Sequence, residues 1–235
     1  MPAPFPPREP DPPEVVFPDP EDADENGIVA VGEDYSASTL LLAYRSGIFP
    51  WPHKKLLPWF SPDPRAIFPI DKPPRWARSL RRTLKTHPYG ITLDTAFTEV
   101  MKGCADARPG HTWISAKMIA AYSELHERGF AHSVEVWEGQ SLVGGIYGVT
   151  VGRTFAGESM FHRVTDASKI AFAALAYSLR ESGYELFDVQ VLNPHLESLG
   201  CIELERSEFL DAHRASVAKG PHPLQLVRSL KKSAS

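Results

Sequence analysis

The chain has 235 residues, 43% hydrophobic and 23% charged, which suits one large domain or a small one joined to a larger one. The formal net charge is −4, so no global positive field draws in nucleic acid, and any RNA contact must come from a local patch. The two cysteines, Cys104 and Cys201, stand far apart, which argues against a disulfide framework or a CxxC zinc site.

In chain order, residues 1–26 are rich in proline and acids and read as an extended arm. The arm has no apolar signal-peptide core, and no apolar run reaches the ~20 residues of a membrane helix. The expectation is a cytoplasmic protein without membrane contact. SASTLLLAYR, 36–45, reads as a helix capped by Ser36 or Ser38 and stopped by Gly47. GIFPWPHKKLLPWFSPDPRAIFP is so dense in proline that no regular element is expected, and a soft domain boundary falls near 60–70. Helices are expected over Arg75–Lys85, Asp94–Cys104 and Ser115–Arg128.

The period then changes. Ala131–Trp137, Leu142–Val149 and Thr154–Phe155 alternate as strands, with turns at Glu138-Gly139-Gln140 and Val151-Gly152-Arg153. Thr165–Ser182 is a helix capped by Thr165 or Asp166 and stopped by Gly183. Leu186–Leu192 is a strand, Ser207–Ser216 a short helix, and the tail from Ser229 frays. The fold class is α+β with a largely antiparallel sheet.

Several residues could carry chemistry. Asp188 and Gln190 share one face of a strand whose other residues are apolar. A carboxylate there is costly to bury without a partner, although an edge strand with a solvated face fits the same pattern. Glu158 in FAGESMF reads as a loop acid, next to a glycine that allows close backbone approach. Arg78, Arg81, Arg82 and Lys85 repeat at i, i+3, i+4, i+7, and Arg75 extends that stripe. They make either a solvated helix face or an RNA patch. Trp51, Trp59, Phe60 and Trp113 can stack unpaired bases or plug a core. The histidines show no metal-ligand spacing, and no GxSxG, GxxxxGK[ST] or GxGxxG motif occurs.

Taken together, GIVAVGEDYS, LLAYRSGIFPW, WFSPDPRAIF, RSLRRTLK, TWIS, AYSELHERGFAHSVEVWEGQSLVGGIYGV, FAGESMFHRVTDASK and DVQVLNPHLESLG resemble the leucyl/phenylalanyl-tRNA–protein transferases. The likeness runs in order from about residue 17 to about 212. Each segment alone is modest; their joint order and spacing make the likeness specific.

The resemblance implies a small N-terminal domain (1–65) and an acetyltransferase-like catalytic domain (66–235). It implies transfer of Leu, Phe or, less readily, Met from aminoacyl-tRNA to proteins beginning with Lys or Arg, marking them for N-degron proteolysis. It implies no metal and no nucleotide cofactor, and the chain is expected to act as a monomer.

Residue by residue, the GESMF motif puts the acidic site residue at Glu158, and the D-x-Q motif falls on Asp188 and Gln190. The motif tryptophans are Trp51 and Trp113. The donor pocket includes Met160, Leu175, Leu179 and Phe187, and the tRNA-binding stripe is Arg75, Arg78, Arg81, Arg82 and Lys85. Glu158 and Asn193 are implied at the acceptor side. Departures from the family pattern are Gly32-Glu33-Asp34-Tyr35-Ser36 for GGDLS, Trp59-Phe60 for the double tryptophan, and leucines at 175 and 179. These bear on donor preference rather than on the reaction.

An ester donor and an α-amine acceptor, of reference pKa about 7.7–8.0, need no enzyme nucleophile. Positioning, a proton path and oxyanion stabilisation suffice. In this scheme Gln190 orients the amine and Asp188 orders Gln190. Two other functions compete. An acyl-CoA-dependent N-acetyltransferase wants a glycine-rich pyrophosphate loop before a helix, where this chain has SMFHRVT. A non-catalytic RNA-binding module gives no reason for Glu158, Asp188 and Gln190 together.

Overall fold

The computed structural model describes residues 3–51, 57–108, 110, 112–227 and 229–230. The proline-rich arm is extended apart from one 3-10 turn, Pro20–Asp22. It lies on the body, where Arg8 N donates to Arg128 O at 2.7 Å and Glu9 pairs with Arg45 at 2.6 Å.

Strand β1 (Ile28–Gly32) leads into α1 (Ala37–Arg45). Ser36 Oγ accepts from Thr39 N at 3.2 Å and so caps α1. Gly47 follows its C-terminus at φ +77°, a conformation that favours glycine.

The proline-dense segment is not irregular throughout. It forms β2 (Phe49–Pro50), β3 (Leu57–Phe60) and β4 (Arg65–Phe68), while its residues 52–56 lie outside the described ones. Proline survives because these ladders are short. Pro50 lies on an edge strand, and the Pro58 carbonyl accepts from Trp51 N at 3.0 Å, a role that needs no N–H.

Helix α2 (Arg78–Thr86) begins after Arg75 rather than at it. Trp76 stacks on Phe68 at 5.3 Å and donates to Tyr177 at 2.9 Å, which anchors the residues before the helix in the core. After β5 (Gly90–Leu93), α3 spans Phe97–Asp106. It does not include Asp94, which sits at φ 59° and turns inward to accept from Ser133 N at 2.9 Å. Helix α4 (Ala116–Arg128) is capped by Ser115 and closed by Gly129 at φ 90°.

The meander is β6 (Ala131–Glu138), β7 (Ser141–Val151) and β8 (Thr154–His162). β8 runs well past the expected Phe155. Helix α5 (Ala167–Glu181) starts after Asp166, whose carboxylate makes no capping bond. It accepts from Lys169 at 2.8 Å and Thr83 at 3.2 Å instead. β9 (Leu186–Gln190) stops short of Leu192. The chain continues through α6 (Pro194–Ser198), β10 (Ile202–Leu204) and α7 (Arg206–Val217). Leu230 is buried in the core rather than frayed; residues 231–235 of the expected frayed tail lie outside the described ones.

Seven strands form one sheet in the order β10-β4-β9-β8-β7-β6-β5, and β1-β3-β2 form a second. Every ladder of the large sheet is antiparallel except β8–β9, which α5 joins as a crossover. The fold is α+β with a mostly antiparallel sheet, as expected. Alternation along β7 sends Ile146 to a core beneath α5 and Tyr147 to a core beneath α3, α4 and α1. Leu57 and Trp59 of the small sheet join that second core.

Candidate active site

β9 lies inside the sheet, between β4 and β8, so the edge-strand account of Asp188 does not apply. Asp188 is 2% exposed. Its partner is Arg65, 1% exposed, at the start of β4. Arg65 Nε donates to Asp188 Oδ1 at 2.8 Å and Nη2 to Oδ2 at 2.7 Å. This bidentate geometry offsets the cost of burying both charges. Arg65 Nη1 donates to Gly47 O at 3.0 Å, and the guanidinium lies over the rings of Phe49 (4.8 Å) and Phe209 (4.4 Å).

Asp188 also shapes the next turn. Its Oδ1 accepts from the Gln190 backbone N–H at 2.9 Å. Gln190 sits at φ 68°, and Val191 N donates to Val189 O at 2.9 Å across it, as in a γ-turn. The β4–β9 register skips Val189. This bulge and turn end the strand and redirect Gln190. A non-glycine residue at positive φ stores strain, which recurs at functional sites.

Glu158 is held by a second bulge, not a loop. The β7–β8 register passes from Tyr147↔Ser159 to Gly148↔Gly157, leaving Glu158 unpaired. The β8–β9 pairing ends at Ala156↔Asp188, so Glu158 and Gln190 stand just beyond the last paired residues. Gln190 Nε2 donates to Glu158 Oε1 at 2.6 Å, and Tyr44 Oη donates to the same oxygen at 2.7 Å. Tyr122 Oη lies 3.2 Å from Glu158 Oε2 and 2.5 Å from Tyr44 Oη, so two hydroxyl protons serve three contacts. Because Nε2 faces the carboxylate, the Gln190 carbonyl is left to accept from elsewhere.

Burial pushes the Glu158 carboxyl from 4.5 up to about 7, against hydrogen bonds from Tyr44, Gln190 and Tyr122 that pull it down; the Asp188 charge adds to the rise. Burial, with the Glu158 charge next, raises the Tyr44 and Tyr122 hydroxyls well above 10. Both phenols stay protonated and act as donors.

A cavity of about 450 Å³ opens beside this cluster. Trp51, Trp113, Glu158, Gln190 and Asn193 line it, with Arg108 just beyond the end of α3. Trp51 is 43% exposed and backs edge-on against Phe60 at 5.8 Å, leaving ring surface free to stack. Asn193 caps α6, accepting from Leu196 N at 2.9 Å.

The residues implied for a donor side-chain pocket lie deeper. Leu175, Leu179 and Phe187 are fully buried in the core under α5, with Met160 packed against them, and none lines this cavity. Gly157 separates them from the site; a Cβ there would stand 3.1 Å from the Phe187 ring.

Arg78, Arg81, Arg82 and Lys85 are exposed on α2, whose buried face is Leu80 and Leu84. Arg75 is exposed ahead of the helix. Among the described residues no acid forms an ion pair with any of the five.

Sequence reasoning missed Arg65, Tyr44, Tyr122 and Arg108. An unpartnered Asp188 on an apolar strand signalled that some cation was needed. No spacing links it to an arginine 123 positions away.

The model of the leucyl/phenylalanyl-tRNA protein transferase matches residues 67–214, and that of the N-terminal domain of the same family matches 33–63. A leucyl/phenylalanyl-tRNA–protein transferase of Shewanella sp. strain W3-18-1 is 49% identical over 212 residues, 88% of this chain and 89% of that protein. The namesake from Shewanella baltica OS155 is 51% identical over 199 residues, 83% of this chain and 84% of its own. Among solved structures, L-PGS from Bacillus licheniformis is a distant match, with 12% identity, a TM-score of 0.40, and coverage of 56% of this chain and 46% of that one. Two consecutive family models and near-complete, half-identical relatives together place this chain in the leucyl/phenylalanyl-tRNA–protein transferase family.

Proposed function

We propose that this protein is an aminoacyltransferase that moves Leu, Phe or Met from aminoacyl-tRNA to the N-terminal Lys or Arg of acceptor proteins. The product carries a new peptide bond and a bulky apolar N-terminal residue, which marks it for N-degron degradation. The observation that carries this reading is the Glu158–Gln190 hydrogen bond, 2.6 Å long, at the floor of a cavity walled by Trp51 and Trp113.

In this reading the donor's terminal base stacks against the tryptophans, and its ester carbon faces Gln190. The acceptor amine donates an N–H to the free Gln190 carbonyl and attacks the ester carbon. The C–N bond forms as the C–O bond to ribose breaks. One amine proton leaves, and the ribose oxygen receives one. Glu158, with its carboxyl near 7, is poised to take up and return a proton at neutral pH. Its ionised form also attracts the cationic acceptor. Asp188 acts indirectly: matched by Arg65 and bonded to the Gln190 backbone, it holds the turn that aims Gln190.

The reading also divides the chain into a small N-terminal unit over 1–65 and an acetyltransferase-like catalytic unit over 66–235. Tyr44 then comes to the site from the first and Glu158 from the second. The exposed α2 stripe takes the tRNA backbone. The proposed setting is the cytoplasm, as a monomer; no helix among the described residues is long and apolar enough to cross a membrane.

The test is incubation with tRNA charged with labelled leucine and two acceptors identical but for an N-terminal Arg or Ala. Label should enter the Arg protein only. Absence of label from both would sink the reading.

A further inference from the structure

The cavity beside Glu158 contains a cation that the transfer scheme does not use. Arg108 lies just beyond the end of α3 and is exposed. It lines the same cavity as Trp51, Trp113, Glu158 and Gln190. Among the described lining residues it is the single cation and Glu158 the single anion. Among the described residues its side chain makes one hydrogen bond, from Nη1 to Ser159 Oγ at 3.3 Å, and no carboxylate forms an ion pair with it. A guanidinium carries five N–H donors in a planar fork, so the described residues leave most of that fork to face an incoming group.

Ser159 follows Glu158 directly on the bulged strand, so this hydrogen bond ties the cation to the strand that carries the acid. A guanidinium in no ion pair among the described residues, lining one cavity with the exposed Trp51 and the half-buried Trp113, suits a nucleotide, with base on aromatic and phosphate on arginine. It does not suit the acceptor, whose N-terminal Lys or Arg is itself cationic. Glu158 and Arg108 thus divide the cavity by charge.

We infer that Arg108 binds the phosphate of the donor's 3′-terminal nucleotide and thereby sets the position of the ester against Gln190. This rests on the tRNA-dependent reading above and deepens it by assigning the phosphate contact at the site.

The test uses two non-reactive donor analogues, phenylalanine amide-linked to the 3′ position of adenosine and the same compound bearing a 5′ phosphate. Their inhibition constants are measured against transfer from charged tRNA. The wild-type protein should bind the phosphorylated analogue more tightly by about tenfold, the scale of one charge-assisted contact. Arg108→Ala should remove most of that advantage. Arg108→Lys should keep part of it, since charge remains but the fork is lost. Added salt should erode the advantage in the wild type.

A wild-type protein indifferent to the phosphate overturns the inference, as does an advantage that persists in Arg108→Ala. Equal weakening of both analogues also overturns it and assigns Arg108 to the aminoacyl part or to packing. Failure of the wild-type protein to transfer leucine at all is a separate outcome, which removes the underlying reading instead.

Discussion

Asp188 and Arg65 form a bidentate ion pair across 123 positions of sequence, with both side chains almost wholly buried. Removing one partner strands the other's charge in the core, which costs about 3–5 kcal/mol. Arg65→Ala should therefore lower unfolding free energy by that order in urea titrations, and Asp188→Ala likewise. The double variant should recover part of the loss, because no charge is then left alone. Strict additivity of the two single losses would show that the pair is not coupled.

The Glu158 carboxyl near 7 predicts a limb in the pH profile of transfer. Its ionised form is the proton acceptor, so the rate should rise with pH through about 7. Glu158→Gln should abolish that limb and lower kcat/KM by about 10²–10⁴-fold. A profile that is unchanged in the variant would remove Glu158 from the proton path.

The same group links stability to pH. The folded protein binds this proton more tightly than the unfolded chain, since burial raises the value from 4.5 to about 7. Stability from this site is therefore fully present below 4.5 and is lost as pH rises to 7 and beyond. The loss is on the order of 3 kcal/mol at most. Urea titrations across that window should show the decline in the wild type, and Glu158→Gln should flatten it.

Gln190 holds a backbone conformation at φ 68° that glycine adopts without strain. Gln190→Gly and Gln190→Ala both lose the bond to Glu158, so activity should fall in each. They should differ in stability, with the glycine variant ahead by about 1 kcal/mol from relief of strain. The reverse order in thermal melts would mean that the turn is not strained.

The α2 stripe predicts a salt effect. Arg78→Glu with Arg82→Glu should raise KM for charged tRNA and shrink the slope of log affinity against log salt by roughly 1–2. Both residues are exposed, so the melting temperature should stay close to wild type. A wild-type slope in the double variant would take the stripe out of the tRNA interface.

The legible parts of the fold were local. Ser36 and Ser115 cap their helices as their hydroxyls allow. The meander turns fall where glycine permits positive φ at Gly139 and Gly152. The illegible parts were those in which long-range packing overrode local preference. Three short strands cross the proline-dense segment because distant partners supply the ladders of β3 and β4, and β2 then pairs with β3. Helix α3 starts late because Asp94 is drawn inward by Ser133 and His132. Glu158 looked like a loop acid because a bulge leaves no trace in period-two alternation.

The site divides the same way. By itself the sequence determined the elements near its strong caps, the basic stripe on α2, and, through ordered motifs, the family and the candidates Glu158, Asp188 and Gln190. Chain spacing carries that information, since helical and strand periods act over a few residues. Only the tertiary structure decided that Asp188 is spoken for by Arg65, that Tyr44 and Tyr122 hold Glu158, and that Arg108, in no ion pair among the described residues, lines one cavity with Trp51 and Trp113. Those relationships join residues from different elements, and the physical reason is burial: a charge removed from water must find its partner wherever the packed chain brings one.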